Sequence, residues 1–118
     1  MTTRIEHDLL GDREVPADAY WGVHTLRAVE NFPISGVAIG QHPALVAALA
    51  EIKWAAALAN GELGLLDGER VDAIARACEE IRHGALHDQF VVDVIQGGAG
   101  TSTNMNANEV IARLASTA

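Results

Sequence analysis

The stretch PALVAALAEIKWAAALANGEL, residues 43–63, decides the class of fold. Pro43 is a favourable first helical residue, because its missing N–H would have no partner there. Leu45, Leu49, Ile52, Ala56, Ala59 and Leu63 then recur at steps of four and three, the spacing of a helix-packing seam. The other side is apolar as well, through Val46, Ala50, Trp54 and Ala57. Only Glu51, Lys53 and Asn60 interrupt the run through residue 60. A helix that is apolar nearly all round must be buried nearly all round. One small domain can hardly cover it, so a neighbouring domain or subunit is expected against it.

Reading outward, Gly61 and Gly64 are the expected stop, and Asp67 is the expected N-cap of the next helix. Residues 69–83 are amphipathic. Val71, Ile74, Ala75, Cys78 and Ile81 form one stripe, while Asp72, Arg76, Glu79 and Arg82 lie on the wet side. Gly84 closes the helix. Towards the N-terminus, Gly11-Asp12 between short extended runs predicts a tight hairpin, with glycine supplying a positive φ and Pro16 ending the second arm. A short helix over residues 25–31 should follow. Phe90 to Ile95 is rich in β-branched residues and reads locally as a strand. It leads into a glycine-rich polar loop, residues 97–106, and then into a final helix carrying Val110, Ile111, Leu114 and Ala115. No repeat or linker divides residues 1–118, which read as one mainly α domain with a hairpin at its start.

Composition removes whole classes of function. A formal charge of -8 argues against nucleic acid and against an anionic membrane surface, both of which attract cationic proteins. The single cysteine, Cys78, has no intrachain partner, so no disulfide framework is expected. No signal-peptide pattern opens the chain, and its unbroken apolar runs are far shorter than the ~20 residues of a membrane span. A cytoplasmic location is the expectation. Alanine occurs 21 times and aromatic residues only five, so helices should pack closely or lean on something else.

The most unusual stretch is the loop, residues 97–106. Gly97, Gly98 and Gly100 let backbone approach a ligand, and Thr101, Ser102, Thr103, Asn104 and Asn106 add short hydrogen-bonding side chains. With a helix starting inside the run, its free amides would receive an anion with no cationic side chain. The competing reading is a loop whose polar side chains cap their own backbone. A dinucleotide turn fails because Thr103 stands where a third glycine is needed, and a phosphate loop fails because no lysine follows Gly100. Elsewhere, Cys78, His83 and His87 have metal-like spacing, but Gly84 breaks the helix between the histidines and a packed thiol is expected. Asp88 beside His87 has no nucleophile near it in sequence. Glu79-Glu80 should be a solvated face, and His24 a structural histidine in a packed turn.

Two motifs together carry a resemblance. Residues 8–28, DLLGDREVPADAYWGVHTLRA, followed by Asn31-Phe32 and Ile34-Ser35, resemble the amino-terminal signature of the aspartate ammonia-lyase family. Gln96 through Val110 resembles the first active-site region of the aspartase/fumarase superfamily. Val23-His24-Thr25-Leu26-Arg27 and Gly98-Ala99-Gly100-Thr101-Ser102-Thr103 fit the aspartase pattern better than the fumarase one, whereas Trp21 departs towards fumarase. The resemblance spans residues 4–115. It implies the N-terminal domain of a mainly helical homotetramer whose active sites draw on three subunits, so Phe90 to Ile95 should lie in a helical setting. It implies reversible deamination of L-aspartate to fumarate and ammonia, without an organic cofactor. By the same resemblance Thr101 binds a carboxylate of the dicarboxylate substrate, supported by Gly100, Ser102 and Asn104. The family's later Gly-Ser-Ser-x-Met-Pro motif, with its serine base, has no counterpart here. No catalytic residue and no metal ligand set is therefore expected in this chain, and alone it should be inactive. The N-terminal domain of a class II fumarase, or a non-catalytic helical assembly module, are the alternatives.

Overall fold

A computed structural model describes residues 2–117. The chain opens with an antiparallel hairpin of β1 (Thr3–Asp8) and β2 (Gly11–Pro16), in register from Thr3 opposite Pro16 to Asp8 opposite Gly11. The turn differs from expectation by two residues. Its tip is the exposed pair Leu9-Leu10, and the positive φ of +120° falls just after it, on Gly11. The cause is Asp8, whose Oδ1 accepts the Leu10 amide at 2.9 Å and so bends the chain two residues early.

Arginines fasten this hairpin to the chain that follows. The Arg4 guanidinium donates to the carbonyls of Pro16 at 2.9 Å, Ala19 at 2.7 Å and Trp21 at 2.9 Å. Arg27 grips the Asp8 carboxylate with two bonds of 2.8 Å, and Arg13 does the same to Glu30. The first helix, α1 (Val23–Asn31), starts two residues earlier than the spacing predicts. Its N-cap residue is Gly22, which has no side chain to offer. The cap comes instead from the far end of the chain. Glu109 Oε1 accepts the Gly22 amide at 3.1 Å, the Thr25 amide at 2.9 Å and the Thr25 hydroxyl at 2.5 Å, and Oε2 accepts the His24 amide at 3.1 Å. A Cβ on Gly22 would lie 2.6 Å from Glu109 Oε2, so only glycine lets the carboxylate in.

Helix α2 (Pro43–Glu62) has proline at its start as predicted, but it buries the other face. Val46, Ala50 and Ala57 enter the core, whereas Leu45, Ile52 and Leu63 of the expected seam are 39%, 60% and 71% exposed. Ala56 and Ala59 are exposed too, and only Leu49 of that set packs against the core. Because both faces are apolar, spacing alone could not choose between them. At 20 residues, with a mean hydropathy of 1.2 over an 18-residue window, α2 also reaches the length and composition of a membrane span, which its short unbroken apolar runs do not reveal. Gly61 lies inside the helix rather than after it. A side chain there would be crowded, because Val71 Cγ2 presses to within 2.8 Å of where a Cβ would be.

Helix α3 (Gly68–Arg82) is capped as expected, Asp67 Oδ1 accepting the Arg70 amide at 2.9 Å. It contributes Ala77, Cys78 and Ile81 to the core. Gly84, at φ +111°, ends it. Residues 90–95 form neither a helix nor a true strand. They run extended beside residues 37–40, with Ile39 N to Val92 O, Gly40 N to Phe90 O and Val94 N to Val37 O all at 2.9 Å. On the other side, Asn106 of α4 (Thr101–Thr117) takes the Val91 and Val92 amides on Oδ1 and donates from Nδ2 to Gln89 O. That side chain occupies the edge a sheet would need. Phe90, Val92, Ile39, Val46, Ile81 and Val110 then form one core between α2, α3 and α4.

Glu109→Ala leaves four donors at the start of α1 without a partner. It should lower the unfolding free energy of the chain by about 1.5–3 kcal/mol, the cost of losing bonds to a charged group. Urea denaturation measures this, and a loss under about 0.5 kcal/mol would show the cap to be dispensable.

Candidate functional site

The glycine-rich segment becomes a loop of unusual backbone. Gly98, Ala99 and Gly100 have successive φ values of +79°, +56° and +85°. For Ala99 that conformation costs about 1–2 kcal/mol, so the surroundings must hold it. Helix α4 begins immediately after, at Thr101. The loop closes on itself through Gly98 O, which accepts both the Thr101 amide at 3.1 Å and the Thr101 hydroxyl at 2.8 Å. The Asn104 amide bonds to Gly100 O, and the Thr103 amide to Gln96 Oε1 at 2.9 Å. The amides of Ala99, Gly100 and Ser102 have no acceptor among the described residues. Part of the polar run caps its own helix, and part leaves donors unspent at a helix N-terminus, where the dipole favours an anion.

The residues predicted to bind are placed unequally. Gly100, Thr101 and Asn104 are exposed, and Thr101 and Asn104, three apart on α4, share one face. Ser102 is buried. Asn106, in the same polar run, belongs wholly to the fold. One cation near the loop has no local sequence signal: Lys53, the only lysine, reaches across from α2 and donates its ammonium to Asn104 Oδ1. Only the packing of α2 against α4 brings these residues, 51 apart, together.

Asp93 anchors the segment leading into the loop. Its carboxylate accepts the Ile95 amide at 2.7 Å, the Ser35 hydroxyl at 2.7 Å, and the Ser35 and Gly36 amides at 2.8 and 2.9 Å. The Ile95 amide above all, with Ser35 and Gly36, holds the Asp93 carboxyl down at about 2 although burial pushes the other way. Nothing in the apolar run around it marks this aspartate as a structural anchor; apart from Ile95, its partners Ser35 and Gly36 are 58 and 57 residues away.

The weaker candidates resolve as structure. Cys78 is fully buried, and burial pushes its thiol up to about 11, far from a reactive thiolate. His83 and His87 turn ring nitrogens to backbone oxygens, of Glu79 and Ile81 respectively. Among the described residues no group of three or more metal-ligating side chains assembles. Glu79 and Glu80 are exposed; His24 is the exception, half-buried in the first turn of α1 with its buried Nδ1 unpartnered among the described residues. The serines do not form a catalytic pair with a histidine: Ser35 is committed to Asp93, and Ser116 donates to Ala112 O.

A family model described as Lyase matches residues 11–118, and the chain belongs to this lyase family, the aspartase/fumarase superfamily. Relatives named for both activities are among those it matches. It is 61% identical over 114 residues to the aspartate ammonia-lyase of Pseudomonas aeruginosa, covering 97% of this chain and 24% of that protein. It is 60% identical to a class II fumarate hydratase of Halobacterium salinarum, over 95% of this chain and 23% of the other. Among solved structures, a fumarate lyase:delta crystallin from Brucella melitensis superposes with a TM-score of 0.95 at 60% identity, over 97% of this chain and 26% of that one. The class II fumarase of Schistosoma mansoni gives 0.91 at 38% identity, over 98% and 24%. The chain thus spans about a quarter of the length of these relatives.

Asp93 makes a pH prediction. Its folded pKa of about 2 lies below the ordinary 3.8, so its contribution is complete above pH ~4 and is lost as pH falls towards 2. Asp93→Asn should lower the urea midpoint at neutral pH and flatten its fall between pH 4 and 2. Parallel acid profiles for both forms would remove Asp93 from this role.

Proposed function

We propose that this chain is the amino-terminal part of an aspartate ammonia-lyase, which interconverts L-aspartate with fumarate and ammonia, and that its loop 97–104 receives one carboxylate of that dicarboxylate. The observation carrying this reading is the loop itself: unspent amides at Ala99, Gly100 and Ser102, with the Thr101 hydroxyl beside them, at the positive end of α4. The names of the relatives supply the substrate class.

In this chemistry a base removes a proton from the carbon beside one carboxylate, and the charge that develops spreads onto its oxygens. Donors fixed in advance stabilise that charge without having to reorganise, which is usually the largest catalytic contribution. This chain's share is such donors. The Thr101 hydroxyl, now bonded to Gly98 O, needs only to rotate to face a carboxylate oxygen. Asn104, held by Lys53, supports the same face. The serine base belongs to a motif this chain does not contain, so the chain by itself binds and does not turn over. The exposed apolar face of α2 suits burial by the rest of a cytoplasmic homotetramer rather than by lipid, and no organic cofactor enters the scheme.

A class II fumarase is the second reading, favoured by the 60% identity to the Halobacterium salinarum protein. Both reactions begin with the same proton removal, so one carboxylate loop serves either. A complete enzyme carrying this segment, assayed with L-aspartate and with malate, separates the two; preference for malate would overturn the first. Thr101→Ala in that enzyme should weaken substrate handling by about 0.5–1.5 kcal/mol or more. Unchanged kinetics would remove the loop from the site. The 118-residue chain alone should yield no fumarate from L-aspartate.

A further inference from the structure

Gln96 stands at the root of the loop, where one carboxamide meets both of its arms. Nε2 donates to Asp93 O at 2.8 Å on the incoming arm, and Oε1 accepts the Thr103 amide at 2.9 Å on the outgoing helix. Helices ordinarily satisfy that third amide with the side chain of their own N-cap. Here Gly100 stands before the first helical residue and has none, so a residue seven positions before Thr103 does the work across the loop. Between the two anchored points lie three successive left-handed residues, one of them an alanine. Such a backbone keeps its shape only if its ends are held. The incoming end is itself immobilised, because Asp93 is gripped by Ser35, Gly36 and Ile95. Gln96 is half-buried and touches the loop from behind, with its polar atoms already committed to protein.

We propose that Gln96 is a positioning residue for the anion-binding loop: it sets the relative placement of the Thr101 hydroxyl and the Ala99, Gly100 and Ser102 amides without itself contacting substrate. This rests on the reading of the loop as a carboxylate receptor. By occupying the Thr103 amide, Gln96 also keeps an anion from being drawn to the wrong turn of α4, so that the donors left free are those on the loop.

The test uses a complete enzyme carrying this segment, with Gln96→Met, Thr101→Ala and the double variant. Methionine matches the length of glutamine and makes neither hydrogen bond. Gln96→Met should raise KM for L-aspartate roughly fivefold or more, the scale of a lost hydrogen bond. It should also raise the inhibition constant of succinate in parallel, and kcat should fall as well, because the same donors stabilise the charge that develops in the transition state. The double variant should be little worse than Thr101→Ala, because Gln96 acts through the loop that Thr101 belongs to. Gln96→Glu keeps an acceptor for Thr103 but loses the donor to Asp93 and adds negative charge, so it should raise KM further than Gln96→Met. This variant carries the test if Gln96→Met does not fold. A lowered thermal midpoint with unchanged KM, or effects of Gln96 and Thr101 that multiply, would overturn the positioning role. Unchanged KM in Thr101→Ala would overturn the carboxylate-receptor reading and this inference together, whereas a raised KM there with an unaltered Gln96→Met would overturn this inference alone.

Discussion

Glu109 joins the two ends of this chain. A helix start leaves amides without partners, and a buried amide without a partner is costly. In α1 that cost is met by a carboxylate on α4, 84 residues from Thr25. The contact does more than cap a helix. It fixes α4 against α1, and α4 carries both Asn106, which straps down residues 89–92, and the N-terminal turn that closes the glycine loop. Gly22 is part of the same device, since any side chain there would collide with the carboxylate. Arg4 then secures the chain just ahead of it by gripping four backbone carbonyls, those of Pro16, Ala17, Ala19 and Trp21. The two motifs that resemble a lyase signature are thus largely one structural assembly, with the glycine-rich loop attached to it.

The charge of the chain and the chemistry of the loop pull in opposite directions. A net charge of -8 repels anions at a distance. At the loop the local field is set by amide dipoles at a helix start, reinforced by the only lysine in the chain, and not by the total. Screening confines the influence of remote surface charges to about 8–10 Å in physiological salt, so a few oriented donors at contact distance outweigh them. This is also why a loop lacking cationic side chains of its own can still be a receptor. Holding the donors in place falls to groups behind them, the buried Asp93 and the half-buried Gln96, whose hydrogen bonds are internal.

Local signals were read well where local chemistry decides. Pro43 starts α2, Asp67 caps α3, Gly84 ends it, and the hairpin and final helix fall close to their predicted places. Three features escaped. The tip of the hairpin moved because an aspartate side chain outbid the glycine as turn-maker. Residues 90–95 have strand composition but lie between a short backbone edge at 37–40 and the Asn106 side chain, which leaves no room for a sheet. The buried face of α2 was the opposite of the expected one. When a helix is apolar on two sides, hydrophobicity cannot say which side meets α3 and α4 and which is left for another partner.

Sequence alone determined the class of this protein: a helical, acidic, alanine-rich domain, bearing in the right order two motifs of a lyase superfamily. It also located the loop, because glycines beside short hydroxyl and amide side chains announce close backbone approach whatever surrounds them. Tertiary structure decided the roles within those motifs. Glu109 and Asn106 became fasteners, Ser102 went inside, Lys53 arrived from another helix, and Gln96 came to span the loop. The reason is physical. A residue type specifies what bonds a side chain can make, but the partner that takes them is chosen by which segments the core brings within about 3 Å.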